Sequence, residues 1–301
     1  MSPRHQRAEA AVAGPAEPTV GRVEPFRHHG LAWIHADLPI DVPNALPGEL
    51  IRYQEVGRGA HRARGRLLEV LEAHPDRIEP RCDRFQVCGG CDRMQVSLPG
   101  QQALKQARVQ EALEPFDIQI EPLVASPLTW GYRRRARFTF GGREGALELG
   151  AYQAGSHVLI DVGDCPVTDP RLLVARDHVR ETLSRAGIPP YDELTGQGVI
   201  RHLSLQIHPL SGAILAVLGV ARATGLDEAW LGRTLLEAPA AGLAGLSLNL
   251  QPDRGNALLG RETRHLAGMS ALEVSIGDRR LELPGGAFSQ VNLEVAGLLY
   301  R

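Results

Sequence analysis

Between residues 20 and 79 apolar and polar positions alternate in short runs. "LAWIHA", "ELIRYQEV" and "ARGRLLEVLE" each have the period of a half-buried strand, and turn-forming stretches such as "PNALPGE" separate them. Several short strands in so short a span predict a small all-β barrel of the OB type. Ahead of it, residues 1–18 are rich in Ala, Pro and Glu and show no period, which predicts a disordered leader with too little to bury. After the barrel, "SLPGQQALKQARVQEALEPF" has the period of a helix, with Leu104, Ala107, Val109 and Leu113 between polar positions. Strand-like runs then dominate: "YRRRARFTF", "ALELGAY", "HVLIDV", "IRHLSLQIH", "AILAVLGV", "GLSLNLQ" and "LEVSIG". Helical patterns interrupt them at "RLLVARDHVRETLSRAG" and "LDEAWLGRTLLEA". Without a strict βαβ rhythm, this succession predicts an α+β domain with a mixed or antiparallel sheet. The last stretch, "LPGGAFSQVNLEVAGLLYR", starts a capped helix at Ser289 or Asn292, and the sequence stops within it.

Composition narrows the function classes. The 301 residues carry a net charge of −2, so nucleic-acid binding, if present, must come from local basic clusters. No apolar run reaches the ~18–20 residues of a membrane helix, and the N-terminus has no apolar signal core. A cytoplasmic monomer without membrane contact is the resulting expectation. Lys105 is the only lysine, so almost every fixed positive charge is an arginine, a bias for which a GC-rich genome is the first reading and selection for bidentate phosphate contacts the alternative. Arg52, Arg58, Arg62, Arg64 and Arg66 crowd the second half of the barrel, where a solvated strand face and a nucleic-acid surface both account for them. His28, His29, His202, His208 and His265 are scattered, and solvated or locally hydrogen-bonded roles are expected for each.

Three of the four cysteines fall in "CDRFQVCGGC", spaced C-x5-C-x2-C, and the fourth, Cys165, is followed by Pro166. Disulfides are disfavoured in a chain with no export signal. Four thiolates beside two glycines suit a tetrahedral zinc or an iron–sulfur cluster equally. If all four are ligands, none is left as a nucleophile.

These motifs together resemble those of the bacterial RNA uracil-C5 methyltransferases, in particular the iron–sulfur branch that modifies 23S ribosomal RNA. "NALPGELIRYQEVGRGAHRARGRLLEVLEAHPDRIEPRC" is similar to the second half of a TRAM barrel, "CDRFQVCGGCDRMQV" to the cluster loop, and "DCPVTDPRL" to the fourth ligand. "WGYRRRARFTF" is similar to the basic strand that opens the central domain, and "GGAFSQVN" to the entry of the methyltransferase domain. The resemblance implies a [4Fe–4S] cluster held by Cys82, Cys88, Cys91 and Cys165, with a structural role. It implies that Phe288 meets a flipped nucleotide and that Gln290 lies beside S-adenosyl-L-methionine and the target uracil. An ordinary core anchor is the competing role for Phe288, and a helix-capping amide for Gln290.

On a continuous strand Arg133, Arg135 and Arg137 share one face, while Arg134 joins Ala136 and Phe138 on the other. Three guanidiniums in a row suit RNA phosphates. A face salt-bridged to Glu144 or Glu148 is the alternative.

The sequence departs from the family in lacking a convincing glycine-rich cofactor loop and a fifth cysteine. No catalytic residue is therefore assigned, and the chain alone is expected to transfer no methyl group. The expected architecture is a leader (1–18), a TRAM barrel (19–79), a central α+β domain with the four-cysteine site (80–283) and the truncated start of a methyltransferase domain (284–301), its Rossmann-like body missing. The expected function is the N-terminal RNA-binding portion of an rRNA uracil-C5 methyltransferase. A non-catalytic iron–sulfur RNA-binding module is the alternative.

Overall fold

Ile51 and Tyr53 are buried on one side of a strand whose Arg52 stands in solvent. On the next strand Ala63 and Gly65 are buried between exposed Arg64 and Arg66. That period of two rolls the N-terminal residues into a barrel around Val23, Ile34, Ile40, Val42, Ile51 and Tyr53. The computed structural model describes residues 17–25, 32–143, 146–255, 259–276 and 278–300. The predicted leader and His28 and His29 lie outside the described residues, apart from Glu17 and Pro18. Strands β1 (Thr19–Glu24), β2 (Trp33–Ile34), β3 (Ile40–Asp41), β4 (Leu50–Arg58) and β5 (Ala63–Glu72) close in the order β1-β2-β3-β5-β4. All pairs are antiparallel except β3 with β5. Gly65 is required by packing, because a Cβ there would stand 3.0 Å from Val42 and 3.1 Å from Tyr53.

The chain divides into two units, one of residues 1–80 and 91–124, the other of residues 81–90 and 125–301. The division falls inside the cysteine loop. In the first unit the barrel is followed by α1 (Leu98–Leu113), whose N-cap Ser97 accepts from the Gly100 amide at 3.1 Å and donates to Asp76 at 2.6 Å. Four of the five barrel arginines have partners: Arg52 with Glu69, Arg58 with Glu55, Arg62 with Asp41, and Arg66 with the Gln54 amide. All four guanidiniums stand in solvent, so these pairs contribute little stability, although Asp41 is itself buried.

The second unit is built on a seven-stranded sheet ordered β12-β11-β10-β9-β6-β7-β8. Its strands are β6 (Arg135–Arg143), β7 (Ala146–Tyr152), β8 (Leu159–Ile160), β9 (Ile200–Ile207), β10 (Ile214–Val220), β11 (Leu243–Leu250) and β12 (Glu262–Gly268). Only β10 and β11 run parallel, joined by α3 (Glu228–Leu236) as a βαβ crossover requires. Helix α2 (Pro170–Arg185) starts at Asp169, whose carboxylate accepts from the Arg171 amide. Leu172, Val179 and Leu183 of α2 and Leu231 and Leu235 of α3 pack on one sheet face. They meet Phe138, Phe140, Leu203, Leu205, Leu218, Leu246 and Leu248 there. A hairpin, β13 (Ala271–Ile276) with β14 (Arg279–Pro284), sets Leu272 and Val274 against Leu215 of β10. Residues 285–292 lead from it to α4 (Leu293–Leu299). No helix among the described residues is long and apolar enough to cross a membrane.

Candidate nucleic-acid interface

β6 and β9 pair antiparallel with Arg135 opposite Gln206, Arg137 opposite Ser204 and Thr139 opposite His202. Because side chains alternate across a sheet, these six share the face turned away from the leucine-rich core. The His202 ring lies over Gly219 of β10, its partner across the strands, which leaves room for it. A Cβ on Gly219 would come within 2.2 Å of it.

The charges on this face lack counter-charges. Arg135 and Arg137 are half-buried, and neither is ion-paired to a carboxylate among the described residues. Glu148 stands opposite Gly141 and makes no ion pair with them, and Glu144 lies outside the described residues. Burial lowers the pKa of both guanidiniums, and for Arg135 the neighbouring charge of Arg137 lowers it further. Burial, then Arg137 and Arg201, push the His202 imidazole down to about 4. His202 is thus a buried neutral ring, 4% exposed, rather than a solvated one. His208 and His265 make local contacts, His208 through Nδ1 with the Leu210 and Ser211 amides and His265 through Nε2 with the Gly268 carbonyl.

Two neighbours in sequence depart from the expected alternation. β6 begins at Arg135; at Arg133 the backbone instead bridges in parallel to Thr168, with Arg133 N–H donating to Val167 O and Asp169 N–H to Arg133 O. Arg133 accordingly turns to the cysteine loop and donates through Nη2 to Gly90 O at 2.7 Å. Arg134 is not packed among the apolar side chains of the sheet. Its guanidinium bridges Asp169 and Glu294.

The segment 285–291 crosses the polar face. Gly285 and Gly286 pass over Val217, Arg135 donates to Gly286 O at 3.3 Å, and Gln206 donates to Ser289 Oγ at 3.2 Å. Phe288 is 77% exposed and so anchors no core, and Gln290 is exposed. The helix cap is Asn292, whose Oδ1 accepts from the Val295 amide, which frees Gln290 from that duty. Sequence reading missed His202, Ser204 and Gln206, although their period-two placement in "IRHLSLQI" was the available signal.

Cys82, Cys88 and Cys165 are free thiols, and all four cysteines are half-buried. Turns closed by Phe85 N–H to Cys82 O and Cys88 N–H to Arg84 O shape the loop. A Cβ at Gly90 would lie 3.3 Å from Cys88 Sγ, so the glycine keeps that sulfur accessible. The donor chemistry fits a thiolate-bound centre. The side chains are not gathered for it: among the described residues no three His, Cys, Asp or Glu groups are placed to hold a metal ion.

Comparison with known proteins gives this surface a context. No family model matches the chain. An uncharacterized RNA methyltransferase of Synechocystis sp. is 33% identical over 86% of the chain, and one of Halalkalibacterium halodurans is 31% identical over 92%. The chain is a relative of RNA methyltransferases. It spans about 60% of the length of these relatives, 57% and 62% respectively. The crystal structure of Pyrococcus abyssi tRNA (uracil-54, C5)-methyltransferase, in complex with S-adenosyl-L-homocysteine, superposes with a TM-score of 0.72 at 16% identity. The match covers 93% of this chain and 63% of that one. It corrects the expected architecture of a truncated chain with its Rossmann-like methyltransferase domain missing, since this RNA methyltransferase relative follows a uracil-C5 methyltransferase fold over nearly all its own length.

Proposed function

We propose that the chain serves an S-adenosyl-L-methionine-dependent RNA methyltransferase that forms 5-methyluridine, acting on ribosomal RNA, and that its second unit grips the substrate strand. The observation that carries this is the pairing of two uncompensated guanidiniums, Arg135 and Arg137, with a crossing segment that exposes an aromatic ring and an amide. Half-buried guanidiniums without carboxylates suit phosphate oxygens. Uracil C5 is reached only when the base leaves its stack, and Phe288 offers a surface for a splayed base, with Gln290 two residues on to meet base or cofactor. When bound, S-adenosyl-L-methionine supplies the methyl group. Cys82, Cys88, Cys91 and Cys165 would hold a [4Fe–4S] cluster, or a zinc in its place, as a structural centre. Arg133, bonded to Gly90 O, braces that loop, and a contact of its own with RNA belongs to the same proposal.

Binding to unmodified 23S rRNA fragments and to tRNA across a salt series tests the reading. Arg135→Ala is expected to lower the salt slope by about 0.7 for a single-stranded contact. Phe288→Ala is expected to weaken binding by about 1–3 kcal/mol at constant slope. Stronger binding to tRNA than to rRNA would remove the ribosomal assignment, and two unchanged variants would remove the surface.

A further inference from the structure

Three buried polar atoms on the face crossed by residues 285–291 have no hydrogen-bond partner among the described residues: Arg137 Nε, His202 Nε2 and one end of the Gln206 amide, Oε1. Buried polar groups are nearly always paired, and three orphans on one face of two paired strands, Arg137 diagonal to each of the others, call for an explanation. They are not loosely placed. His202 and Gln206 are 4% and 3% exposed, and Arg137 lies opposite Ser204 between them. We infer that this face holds a ribose–phosphate subsite, in which Arg135 and Arg137 take the oxygens of one RNA phosphate and Gln206, opposite Arg135, meets the adjoining 2′-hydroxyl, with His202 on the far side of Arg137.

The chemistry of the orphans selects this ligand, and the inference rests on the reading of the chain as an RNA-binding protein. A guanidinium only donates, so Arg137 Nε requires an acceptor, and two adjacent guanidiniums favour an anionic one. Gln206 Oε1 only accepts, so it requires a donor. A neutral imidazole takes either role. A nucleotide unit supplies an anionic acceptor and a hydroxyl donor side by side, and the hydroxyl is the group DNA lacks. An amino-acid zwitterion also carries both, yet its ammonium would sit beside Arg135 and Arg137. Over this face the side chains reach the segment above through two long hydrogen bonds, Arg135 to Gly286 O at 3.3 Å and Gln206 to Ser289 Oγ at 3.2 Å, while its end is fixed separately by the Arg134 amide on Val291 O. Exchanging them for charge-assisted bonds favours the ligand. The subsite therefore distinguishes RNA from DNA next to the nucleotide presented to Phe288.

The test compares wild type, Arg137→Met and Gln206→Leu in RNA binding and thermal melting. A structural guanidinium would lower the melting temperature when removed. Here Arg137→Met should melt no lower than wild type, bind RNA about tenfold more weakly and lose about 0.7 of salt slope. Gln206→Leu should keep the slope and bring the RNA-to-DNA affinity ratio for one sequence close to unity. On the wild-type protein, deoxy substitution along a bound oligoribonucleotide should cost about tenfold at one position, a readout that needs no variant to fold. A flat deoxy scan, or an Arg137→Met protein that melts lower with RNA binding unchanged, overturns the subsite and leaves RNA binding standing. Inorganic phosphate that raises the melting temperature of wild type but not of Arg137→Met, in a protein that binds no RNA, overturns the RNA reading and keeps an oxyanion site. Stabilisation by S-adenosyl-L-homocysteine that depends on Arg137 overturns the ribose–phosphate assignment.

Discussion

Arg134 and Glu294 stand 160 positions apart in the chain, and the guanidinium of the first donates through both Nε, at 3.0 Å, and Nη2 to one carboxylate oxygen of the second. The same side chain reaches Asp169 through Nη1 at 2.5 Å, and the Arg134 amide donates to Val291 O at 2.7 Å. One residue therefore fixes the start of α4, the N-cap of α2 and the end of the segment bearing Phe288. Its side chain is 11% exposed and that of Asp169 3%. Arg134→Met leaves two carboxylates short of a partner, although Asp169 keeps Arg171. We expect a loss of about 3 kcal/mol in urea unfolding. Hydrogen exchange should quicken at the Ala296 and Val295 amides, which are bonded to Asn292. A loss below about 1 kcal/mol would show that the bridge is screened like a surface pair.

Glu49 in the barrel has no exposed side-chain surface, and its carboxylate meets four donors: Leu46 N–H at 2.8 Å, His74 N–H at 3.1 Å, and Arg77 Nε and Nη2 at 2.5 and 2.7 Å. Burial opposes the charge, but the Arg77 hydrogen bond, the two amides and the Arg77 charge together hold the carboxyl below its ordinary 4.5. A lowered folded pKa makes the charged form a source of stability that is complete above the unfolded value and lost as pH falls through the folded one. Glu49→Gln, which points new N–H groups at existing donors, should cost about 3 kcal/mol at pH 7. Its deficit relative to wild type should shrink as pH drops below about 4. A deficit independent of pH would assign the effect to shape rather than charge.

The local pattern made much of this legible. "ELIRYQEV" and "ARGRLLEVLE" do form the two long barrel strands, and "RLLVARDHVRETLSR" with Asp169 before it forms α2. Asn292 was readable as a helix cap because its short amide reaches the amide three residues on. What local pattern cannot show is which segment returns over a strand face. Alternation in "IRHLSLQI" implies that His202, Ser204 and Gln206 face water, yet all are buried. The covering contacts come from residues more than 80 positions away, as Gln206 with Ser289 shows. The placement of Arg133 on the face of Arg135 and Arg137 failed for a related reason: the strand period was extended two residues before β6 begins, into a bridge with Thr168 that only the folded chain provides.

His202 gives the second unit a pH dependence of its own. Its folded pKa of about 4 lies below the ordinary 6.5, so the unfolded chain binds more protons between those values. Stability is therefore full above about pH 6.5 and declines toward pH 4, with a slope of at most about 1.4 kcal/mol per pH unit for one proton. Arg137 and Arg201 are the charges that oppose protonation of the ring. In His202→Leu the part of the slope between about pH 6 and 5 should vanish, while the carboxylate-driven loss at lower pH remains. Equal slopes in variant and wild type over that interval would mean that the imidazole is reached by water in the folded protein.

The thiols give the prediction that separates the two centres their spacing allows. A centre bound by the folded chain and not by the unfolded one adds stability in proportion to its binding free energy. Protein purified without oxygen should contain iron and acid-labile sulfide in equal amounts and absorb broadly in the visible range. Cys88→Ser or Cys165→Ser should lose both together with several degrees of melting temperature, because serine does not replace a thiolate in a cluster. Colourless protein holding one zinc, with the same loss on either substitution, would keep the four-thiolate site and replace the cluster by a tetrahedral ion. Protein with no metal in which both serine variants melt as wild type does would show that Cys88 and Cys165 are not ligands and that Gly90 serves only the turn beside Cys88.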